Sequence, residues 1–523
     1  MSRYTRALIS VADKTDVEKI ANSLIEKGIE ILSTGGTAAA LRKAGIEVTD
    51  VSNVTGFPEI MDGRVKTLHP KIHGGLLGRR DCDADAMQTH GIDPIDLLIV
   101  NLYPFEATIA RPDCTREDAI ENIDIGGPAM IRAAAKNHRF VSVIVDPGDY
   151  DTVINELNGA DGVLSEATRR RLAKKAFGHT AAYDAAIWNY LDGDGDGDDE
   201  PRDFGETFSM PLRKHSELRY GENPHQRAAL YSLPQTATAT GTLISARQHQ
   251  GKPLSYNNLA DADAALECVK EMPGVACVIV KHANPCGVGI AGDIGAAYEK
   301  AYTTDPTSAF GGIIAFNTAV ETKIAETIID RQFLEVIVAP EYSPEALDVF
   351  SRKPNVRVLE TGELTRTAPG LRVQQIEGGI LVQDKDIVTL DRADLKVVTE
   401  RQPNDQELAD AILAWSVAQF VKSNAIIYCH DGATLGIGAG QMSRVMSAQI
   451  AAWKADEAGL STQGAAMASD AFFPFRDGID IAAKYGIGVV IQPGGSMRDE
   501  EVIEAANEHG MVMLFTGVRH FRH

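Results

Sequence analysis

One run of aspartate and glycine, LDGDGDGDDEPRDFG at residues 191–205, divides this chain of 523 residues into two unequal parts. Such a run loses too much chain entropy on ordering, and repels itself too strongly, to pack as core. Its spacing imitates the start of an EF-hand loop up to Gly197, but the twelfth position holds Asp203 where a calcium loop needs glutamate. We therefore interpret residues 192–204 as a linker and expect no calcium there.

Strand and helix patterns alternate before the linker. Short apolar runs predict strands near residues 8–11, 29–33, 97–100 and 141–145. Thr15 and Glu18 have the spacing of a capping box at the start of a helix, and Gly28 is expected to end that helix. The alternation predicts a mostly parallel sheet covered by helices, in a domain over residues 1–191.

A similar pattern returns twice after the linker. The first stretch contains the strand-like segments VACVIVK, GGIIAF and EVIVAP, with a helix near residues 294–302. The second contains the helical segment AILAWSVAQFVKS, strand-like segments near Ile426 and Leu435, and then the strand-like segments IGVVIQP and MVMLF, each preceded by a helix. We expect an α/β fold with two similar units, at residues 205–385 and 386–523, although the sequence shows no repeat strong enough to prove a duplication.

The charge and the cysteines restrict the class of protein. A net charge of −22 argues against a general nucleic-acid binder or membrane-surface binder, and means that anionic substrates need basic residues gathered locally. The N-terminal segment lacks a signal peptide's apolar run, and no stretch reaches the roughly 18 apolar residues of a membrane span. The scattered cysteines lack a C-x-x-C pair and fit a reducing compartment: Cys82, Cys114, Cys268, Cys277, Cys286 and Cys429. We therefore expect a cytoplasmic protein.

Polar segments of the first part are candidates for binding and catalysis. Residues 33–37, Ser-Thr-Gly-Gly-Thr, lie between a strand and a helix, where free amides attract phosphate, although most such glycine turns are structural. Residues 64–75 gather basic side chains among proline and glycine, as an anion cradle or a solvated loop. Residues 101–105 follow a buried strand, and residues 124–128 open a helix that carries Lys136, which could equally be an ordinary surface lysine.

The strongest local signal of the second part follows the apolar strand at residues 275–280. Lys281 and His282 stand there side by side, before Asn284 and Pro285. A strand end with a proline-fixed turn presents both side chains to a cleft, so we interpret His282 as functional rather than structural. Further polar or glycine-rich segments occupy residues 218–226, 305–312, 423–424, 436–441 and 469–477. The basic and aromatic terminus directly follows a strand and is therefore expected to dock on the fold.

The segments GRVKTLHPKIHGG, NLYPF and IDIGGPAMIRAAAKNH together resemble the inosine monophosphate (IMP) cyclohydrolase domain, which is similar to the methylglyoxal synthase (MGS) fold. The resemblance implies ring closure of a formylated aminoimidazole carboxamide ribonucleotide (FAICAR) to IMP. It places Lys66, Tyr103, Asp124 and Lys136 in the catalytic site. It also implies a set of nucleotide-binding residues: Ser10, Lys14, Ser33, Thr34, Gly36, Thr37, Arg64 and Thr67.

The segments of the second part, in their order, resemble the folate-dependent formyltransferase that acts on aminoimidazole carboxamide ribonucleotide (AICAR). The chain as a whole therefore resembles the PurH family of bifunctional purine-biosynthesis enzymes. The resemblance implies tandem cytidine-deaminase-like α/β units, 10-formyltetrahydrofolate as co-substrate, and a homodimer whose sites are assembled between subunits. Because Pro285 and Cys286 lack the second cysteine of a zinc deaminase, the resemblance implies a metal-free site.

By the same resemblance, Lys281 and His282 form the central catalytic pair of formyl transfer, helped by Asn424. The implied nucleotide-binding residues are Arg219, Tyr220, Arg519 and His523. The implied folate-binding residues are Phe310, Gly311, Glu335, Ile437, Phe472 and Asp477. Among these, Glu335 stands where the family usually has aspartate.

The residue types suit both reactions. His282 is the natural base for a weakly nucleophilic aromatic amine, with Lys281 as acid or oxyanion stabiliser. In ring closure, Lys66 with Tyr103 would stabilise the former formyl oxygen, Asp124 would orient or deprotonate the amide, and Lys136 would shuttle protons.

Three other interpretations stay open at this point. A zinc deaminase would share the fold class but needs metal ligands that the motif lacks. An MGS-like lyase would account only for the first part of the chain. A non-catalytic nucleotide or folate sensor would have no need of both Lys281 and His282, which are present.

Overall fold

A computed structural model describes residues 3–159, 162–193, 204–233, 240–388 and 390–523 of the chain. The chain divides into two compact units, Met1–Leu212 and Arg213–His523. Residues 194–203 of the predicted linker lie outside the described residues, while the last helix of the first unit continues to Gly193. The domain limits expected at residues 191, 205 and 386 stay predictions.

The N-terminal unit combines five strands with flanking helices over its described residues. The strands are β1 (Arg6–Val11), β2 (Glu30–Ser33), β3 (Thr49–Asp50), β4 (Leu97–Asn101) and β5 (Ser142–Ile144). The helices are α1 (Val17–Glu26), α2 (Gly35–Lys43), α3 (Val51–Thr55), α4 (Pro70–Leu77), α5 (Ala84–Thr89), α6 (Phe105–Ile109), α7 (Arg116–Glu121), α8 (Gly126–Lys136), α9 (Tyr150–Leu157) and α10 (Glu166–Gly193).

The five strands are all parallel and lie in the order β3-β2-β1-β4-β5. The parallel sheet predicted for this part is confirmed, as are strands at the four apolar runs. Successive residues of a strand face opposite sides, so that Leu8 packs in one hydrophobic core and Ile9 in the other. The chain adds β2 and β3 on one side of β1 and β4 and β5 on the other, and ligands of open α/β sheets bind where the strand order reverses in this way.

The capping box predicted from Thr15 and Glu18 is wrong. The helix α1 begins at Val17, and its N-cap is Asp16 in a left-handed conformation with φ of 52°. The Thr15 amide and hydroxyl donate instead to the Asp13 carboxylate, at 2.9 and 2.6 Å. This local aspartate turn takes the Thr15 amide that a capping box would offer to Glu18, and it turns the Thr15 hydroxyl, the acceptor of such a box, into a donor, so the helix starts later.

The C-terminal unit is larger. Its strands over the described residues are β6 (Arg213–Leu218), β7 (Ala228–Ser232), β8 (Arg247–Gln250), β9 (Val275–Lys281), β10 (Asn284–Ala291), β11 (Gly312–Phe316), β12 (Leu334–Ala339), β13 (Arg357–Glu360), β14 (Leu371–Ile376), β15 (Gly379–Asp384), β16 (Lys396–Val397), β17 (Ile426–His430), β18 (Ala433–Gly438), β19 (Ala466–Ser469), β20 (Val489–Gln492) and β21 (Val512–Phe515). Its helices are α11 (Tyr256–Glu271), α12 (Ile294–Thr304), α13 (Pro306–Ala309), α14 (Thr322–Arg331), α15 (Pro344–Ser351), α16 (Asp405–Ala418), α17 (Arg444–Glu457), α18 (Asp477–Lys484) and α19 (Asp499–Glu508).

Twelve of these strands form one mixed sheet in the order β16-β21-β20-β19-β17-β18-β10-β9-β11-β12-β13-β8. The strand β9 pairs antiparallel with β10 and β11, and β17 pairs antiparallel with β18 and β19. The pattern expected for the first half therefore missed its hairpin, whereas the strands predicted near Ile426 and Leu435 match the two hairpin strands of the second half. A two-residue turn after Lys281 can only join antiparallel strands, because a parallel crossover needs about a dozen residues or more.

The element order of this sheet occurs twice. A helix, a hairpin and then alternating helices and strands run from α11 to β13 and again from α16 to β21, and the halves meet where β10 pairs with β18. In both halves the second hairpin strand lies close against the next helix. A Cβ at Gly287 would lie 1.9 Å from a carbonyl oxygen of α12, and one at Gly436 would lie 2.0 Å from a carbonyl oxygen of α17. Only glycine permits this approach of strand and helix.

Helices cover both faces of the mixed sheet. One face packs against α11 and α16 in a single core, and the other packs against α12, α14 and α15 in the first half and α17, α18 and α19 in the second. Two hairpins, β6–β7 and β14–β15, pair outside this sheet. No helix in the described part of the chain is long and apolar enough to cross a membrane.

Candidate functional site

A cavity of about 690 Å³ opens in the N-terminal unit at the carboxyl ends of β1, β2 and β4. Its walls come from the loop after β1, the turn between β2 and α2, the segment before α4 and the residues that lead into α8. Both α2 and α8 begin at this cavity. Free amides and the positive end of the helix dipole favour an anion at such positions.

The cavity brings together most residues predicted for ring closure. Three of the predicted catalytic side chains line it, those of Lys66, Tyr103 and Asp124. The predicted nucleotide-binding residues that line it are Ser10, Lys14, Thr34, Gly36, Thr37, Arg64 and Thr67. These residues are distant in sequence, and only the fold brings them together.

Ser33 and Lys136 are predicted site residues that are not among those lining the described cavity. Ser33 is fully buried, and its hydroxyl donates to the Ile9 carbonyl at 2.7 Å. Lys136 is exposed at the C-terminal end of α8, whereas Asp124 precedes the N-terminal end. At about 1.5 Å per residue, the ends of this helix are about 15 Å apart. The geometry of this unit therefore does not support a direct role for either residue in the cavity.

Carboxylates already pair with the basic side chains of the cavity. Lys66 Nζ lies 2.9 Å from Glu59 Oε1, and the Arg64 guanidinium pairs with Glu121. These ion pairs are partly exposed and therefore weak, so an anionic substrate can compete for the cations.

The later basic residues of the same segment serve the fold. His69 accepts the Lys71 N–H at 3.2 Å and so caps α4, while Lys71 Nζ donates to the Val54 carbonyl at 3.1 Å. Burial lowers the pKa of His73 and favours its neutral ring. The anion cradle stays a prediction for these three residues, none of which is among those lining the cavity.

Asp124 is the acid–base candidate of the cavity. Burial raises the pKa of its carboxyl. The rise is opposed by the backbone amides of Gly127, Tyr103 and Gly126, and by the charge of Lys66. The Gly127 N–H donates to Asp124 Oδ1 at 2.8 Å. A buried carboxyl with a raised pKa beside a lysine is suited to taking up and returning a proton.

Two residues that hold this site were given no role of their own by the sequence, although Asn101 belongs to the candidate segment 101–105. Asn101 at the end of β4 accepts the N–H groups of Ala12 and Asp13, at 2.6 and 2.9 Å, and fixes the loop after β1. The Tyr183 hydroxyl of α10 accepts the Asp124 N–H at 2.8 Å. The position of Asn101 directly after a buried strand is a usable signal, whereas nothing in the sequence near Tyr183 indicates its contact.

A second candidate site lies at the turn between β9 and β10 in the C-terminal unit. His282 and Ala283 form this turn with φ of 51° and 56°, directly after Lys281. Lys281 Nζ donates to the Phe310 carbonyl at 2.9 Å, and an ammonium has further donors for a substrate oxygen. The Asp261 carboxylate of α11 accepts the Ala283 N–H at 2.7 Å. The turn thus presents a lysine and a histidine from a braced strand end.

Asn284 joins this turn to the other half of the sheet. Its Oδ1 accepts the Lys422 N–H at 3.0 Å, two residues before Asn424. Asn424 donates twice to the Gln441 carbonyl, from its backbone at 3.1 Å and from Nδ2 at 2.7 Å. One continuous set of contacts therefore links the turn to Asn424, the third predicted catalytic residue of this unit.

Phe310 and Gly311, two predicted folate-binding residues, lie beside Lys281. Phe310 is 61% exposed, and its ring centroid is 5.7 Å from that of Phe333. Gly311 has a φ of +69°, and its N–H donates to the Phe333 carbonyl at 2.8 Å. An exposed aromatic ring next to a cation is a suitable platform for a flat heterocycle.

The remaining predicted folate-binding residues are spread over this unit. The Glu335 carboxylate of β12 is engaged by Arg357. The others belong to the second half of the sheet: Ile437 in β18, Phe472 after β19 and Asp477 at the start of α18.

The C-terminal tail docks on the fold as predicted. The Ser423 N–H donates to the Arg522 carbonyl at 2.9 Å, and His520 is 2% exposed. The tail thereby carries Arg519 and His523, two predicted nucleotide-binding residues, to the segment before β17.

Arg219 and Tyr220, the other predicted nucleotide-binding residues, follow β6. The Arg219 guanidinium lies 5.5 Å from the centroid of the Tyr220 ring. The same segment is attached to α11 by a hydrogen bond from Asn257 Nδ2 to the Glu222 carbonyl at 3.3 Å.

Two family models and a solved structure match this chain. The family model described as "AICARFT/IMPCHase bienzyme" matches residues 134–454, more than half of the chain, and the "MGS-like domain" model matches residues 16–129. Among solved structures, the chain is similar to the crystal structure of ForH, at 37% sequence identity. The match covers 36% of this chain and 99% of that chain, with a TM-score of 0.33.

Proposed function

The chain belongs to the AICARFT/IMPCHase bienzyme family, and from this premise we propose where its two reactions take place. The family catalyses the last two steps of IMP synthesis, the folate-dependent formylation of AICAR and the closure of the product to IMP. Ring closure is assigned to the N-terminal cavity and formyl transfer to the turn at Lys281 and His282. The observation that carries the first assignment is the convergence of Lys66, Tyr103 and Asp124 on one cavity.

Formyl transfer needs a base for the amine and support for the oxyanion. The 5-amino nitrogen of AICAR attacks the formyl carbon of 10-formyltetrahydrofolate, and His282 takes the proton that the amine loses. Lys281 donates to the formyl oxygen as negative charge develops on it. The C–N10 bond then breaks, and the folate nitrogen leaves with a proton returned by the imidazolium. The products are FAICAR and tetrahydrofolate.

Ring closure joins two groups of one molecule, so geometry does most of the catalytic work. The carboxamide nitrogen attacks the formyl carbon, and Asp124 takes the amide proton. Lys66 and Tyr103 stabilise the former formyl oxygen, which receives the proton held by Asp124. The resulting hydroxyl leaves as water with the proton that the formamido nitrogen loses when the C=N bond of IMP forms. Lys136 is left out of this proposal because it lies at the far end of α8.

Binding of the substrates follows from the same placement. The phosphate of FAICAR is assigned to the amides at Thr34, Gly36 and Thr37, near Arg64. The folate ring is assigned to the exposed face of Phe310. The C-terminal unit resembles a tandem pair of cytidine-deaminase-like units, in support of which its element order occurs twice.

The active enzyme is assigned as a homodimer. The β14–β15 hairpin is exposed on both faces although it carries apolar side chains, those of Leu371, Val373, Ile376, Ile380 and Leu381. A two-stranded hairpin is marginally stable in water unless it packs on something, and such apolar patches mark interfaces. A second copy of the chain is the partner that a shared formyltransferase site requires.

The location is assigned as the cytoplasm, and the formyltransferase site as metal-free. The six cysteines are unpaired, which suits a reducing compartment. A lysine and a histidine supply the acid, the base and the oxyanion support without a metal ion. The net charge of −22 supports small-molecule partners rather than nucleic acid.

Two single substitutions test the division of labour. We expect His282→Ala to lower formyl transfer by about 10²–10⁴-fold while the cyclisation of added FAICAR survives, because the two sites are separate. We expect Lys66→Ala to do the reverse. Each activity is measured alone, with AICAR and 10-formyltetrahydrofolate or with FAICAR.

His430→Ala is the matched control, since His430 ends β17 as Lys281 ends β9. It should retain both activities. Loss of both activities in either test variant, or an active His282→Ala protein, would contradict the assignment.

A further inference from the structure

Each half of the mixed sheet has a two-residue hairpin turn, and each turn is held by the carboxylate of its own aspartate. In the first half, Asp261 of α11 accepts the Ala283 N–H at 2.7 Å. In the second half, Asp410 of α16 accepts the N–H groups of Asp431 and Gly432, at 3.0 and 2.9 Å. The two aspartates occupy corresponding helices and perform the same task.

The two turns differ in how readily their residues adopt the required backbone. Both central residues have positive φ, 51° at His282 and 56° at Ala283, against 48° at Asp431 and 69° at Gly432. An Asp-Gly pair is a preferred sequence for such a turn, whereas residues other than glycine, asparagine and aspartate pay about 1–2 kcal/mol each in this region. The catalytic turn therefore depends on its brace more than the second turn does.

The Asp261 carboxylate also lies in the electrostatic field of the catalytic pair. Burial raises the pKa of its carboxyl, while the Ala283 amide, the charges of His282 and Lys281, and the His282 amide oppose the rise. The Asp261 carboxylate therefore lies close to both side chains of the strand end that it braces.

We propose that Asp261 is a positioning residue for formyl transfer, which holds the His282–Ala283 turn so that the imidazole and the Lys281 ammonium face the substrates. The proposal rests on the assignment of formyl transfer to this turn. Asp261 acts through the backbone and touches neither substrate.

Asp261→Ala removes the acceptor, and Asp261→Asn keeps an oxygen in its place. We expect Asp261→Ala to lower the kcat of formyl transfer about 10–100-fold, with KM for AICAR and for 10-formyltetrahydrofolate within threefold of wild type, because a displacement of about 1 Å can cost 10²-fold in rate. We expect Asp261→Asn to recover at least a third of wild-type kcat. Cyclisation of added FAICAR should be unchanged in both.

Asp410→Ala is the matched control, since it removes the same kind of brace from the second turn. It should lower the thermal unfolding temperature at least as much as Asp261→Ala and keep formyl transfer within threefold of wild type. Equal losses of kcat in the two alanine variants would overturn the proposal, and so would wild-type kcat in Asp261→Ala. If Asp261→Ala does not fold, the same comparison is made with Asp261→Ser and Asp410→Ser, and equal losses of kcat in that pair would overturn the proposal.

His282→Ala, assayed in parallel, separates this proposal from the assignment on which it rests. An inactive His282→Ala with a fully active Asp261→Ala refutes only the positioning role. An active His282→Ala refutes the site itself.

Discussion

Replacement of Gly311 by alanine tests how the loop before β11 supports Lys281. Gly311 has a φ of +69°, a region that costs an L-residue with a Cβ about 1–2 kcal/mol. The new Cβ would also lie 3.3 Å from Lys281 Nζ and 3.6 Å from the Phe333 ring. The substitution therefore has two separable effects, backbone strain and displacement of an ammonium.

The size of each effect follows from the geometry. The strain should lower the free energy of unfolding by about 1–2 kcal/mol. Contact at 3.3 Å requires Lys281 Nζ to move by a few tenths of an ångström, away from its 2.9 Å hydrogen bond to the Phe310 carbonyl. Since about 1 Å of misplacement can cost 10²-fold, a shift of this size should lower the kcat of formyl transfer about three- to tenfold.

Gly459→Ala is the control for the strain alone. Gly459 has a φ of +70°, and a Cβ there would meet nothing within 4 Å among the described atoms. Urea unfolding followed by tryptophan fluorescence should show the same loss of stability in both variants. Formyl transfer should fall only in Gly311→Ala, and cyclisation should fall in neither. Equal formyl-transfer rates in the two variants would refute the link between Gly311 and Lys281.

Two further predictions concern packing and pH. Gly438→Ala would bring a Cβ to 1.9 Å from the Ser447 carbonyl of α17, so urea unfolding should show a loss of about 1–3 kcal/mol that Gly292→Ala, with open space around its Cβ, does not show. Burial raises the pKa of Asp124, and a base works only when ionised, so the rate of cyclisation should fall on the acid side at a pH above the ordinary carboxyl range. The base role predicts that Asp124→Asn is slow and that its pH–rate profile no longer shows this fall. A variant whose profile keeps the same fall would contradict the role.

The sequence predicted the N-terminal sheet because its signals are local. Four of its five described strands are short apolar runs followed by a helix, and parallel pairing is the usual outcome of that alternation; the fifth, β3, is the polar pair Thr49–Asp50 and was not predicted. The first hairpin of the C-terminal sheet was harder to predict because its turn consists of only two residues. The pair His282 and Ala283 does not resemble an Asn-Gly or Asp-Gly turn, so nothing local indicated the antiparallel return of β10.

Site residues were predictable where the side chain itself faces the cavity, and not where it acts through another residue. Lys66 and Asp124 belong to motifs that the fold brings to one cavity. Asn101 and Tyr183 hold backbone groups, and their partners lie far away in sequence. Lys136 shares a motif with Asp124, but a helix separates them, so membership of one motif did not place both at one site.

Because the mixed sheet consists of two halves with the same element order, the requirements of the fold can be compared with those of the chemistry within one chain. Both halves keep the braced turn and the glycines that let a strand lie on a helix. The residues at the turn differ, however: Lys281 and His282 of the first half correspond to His430 and Asp431 of the second half. A scaffold that needed only stability would favour the Asp-Gly sequence of the second turn. The first turn has a less favourable sequence, and we attribute this to the proposed catalytic pair that it carries.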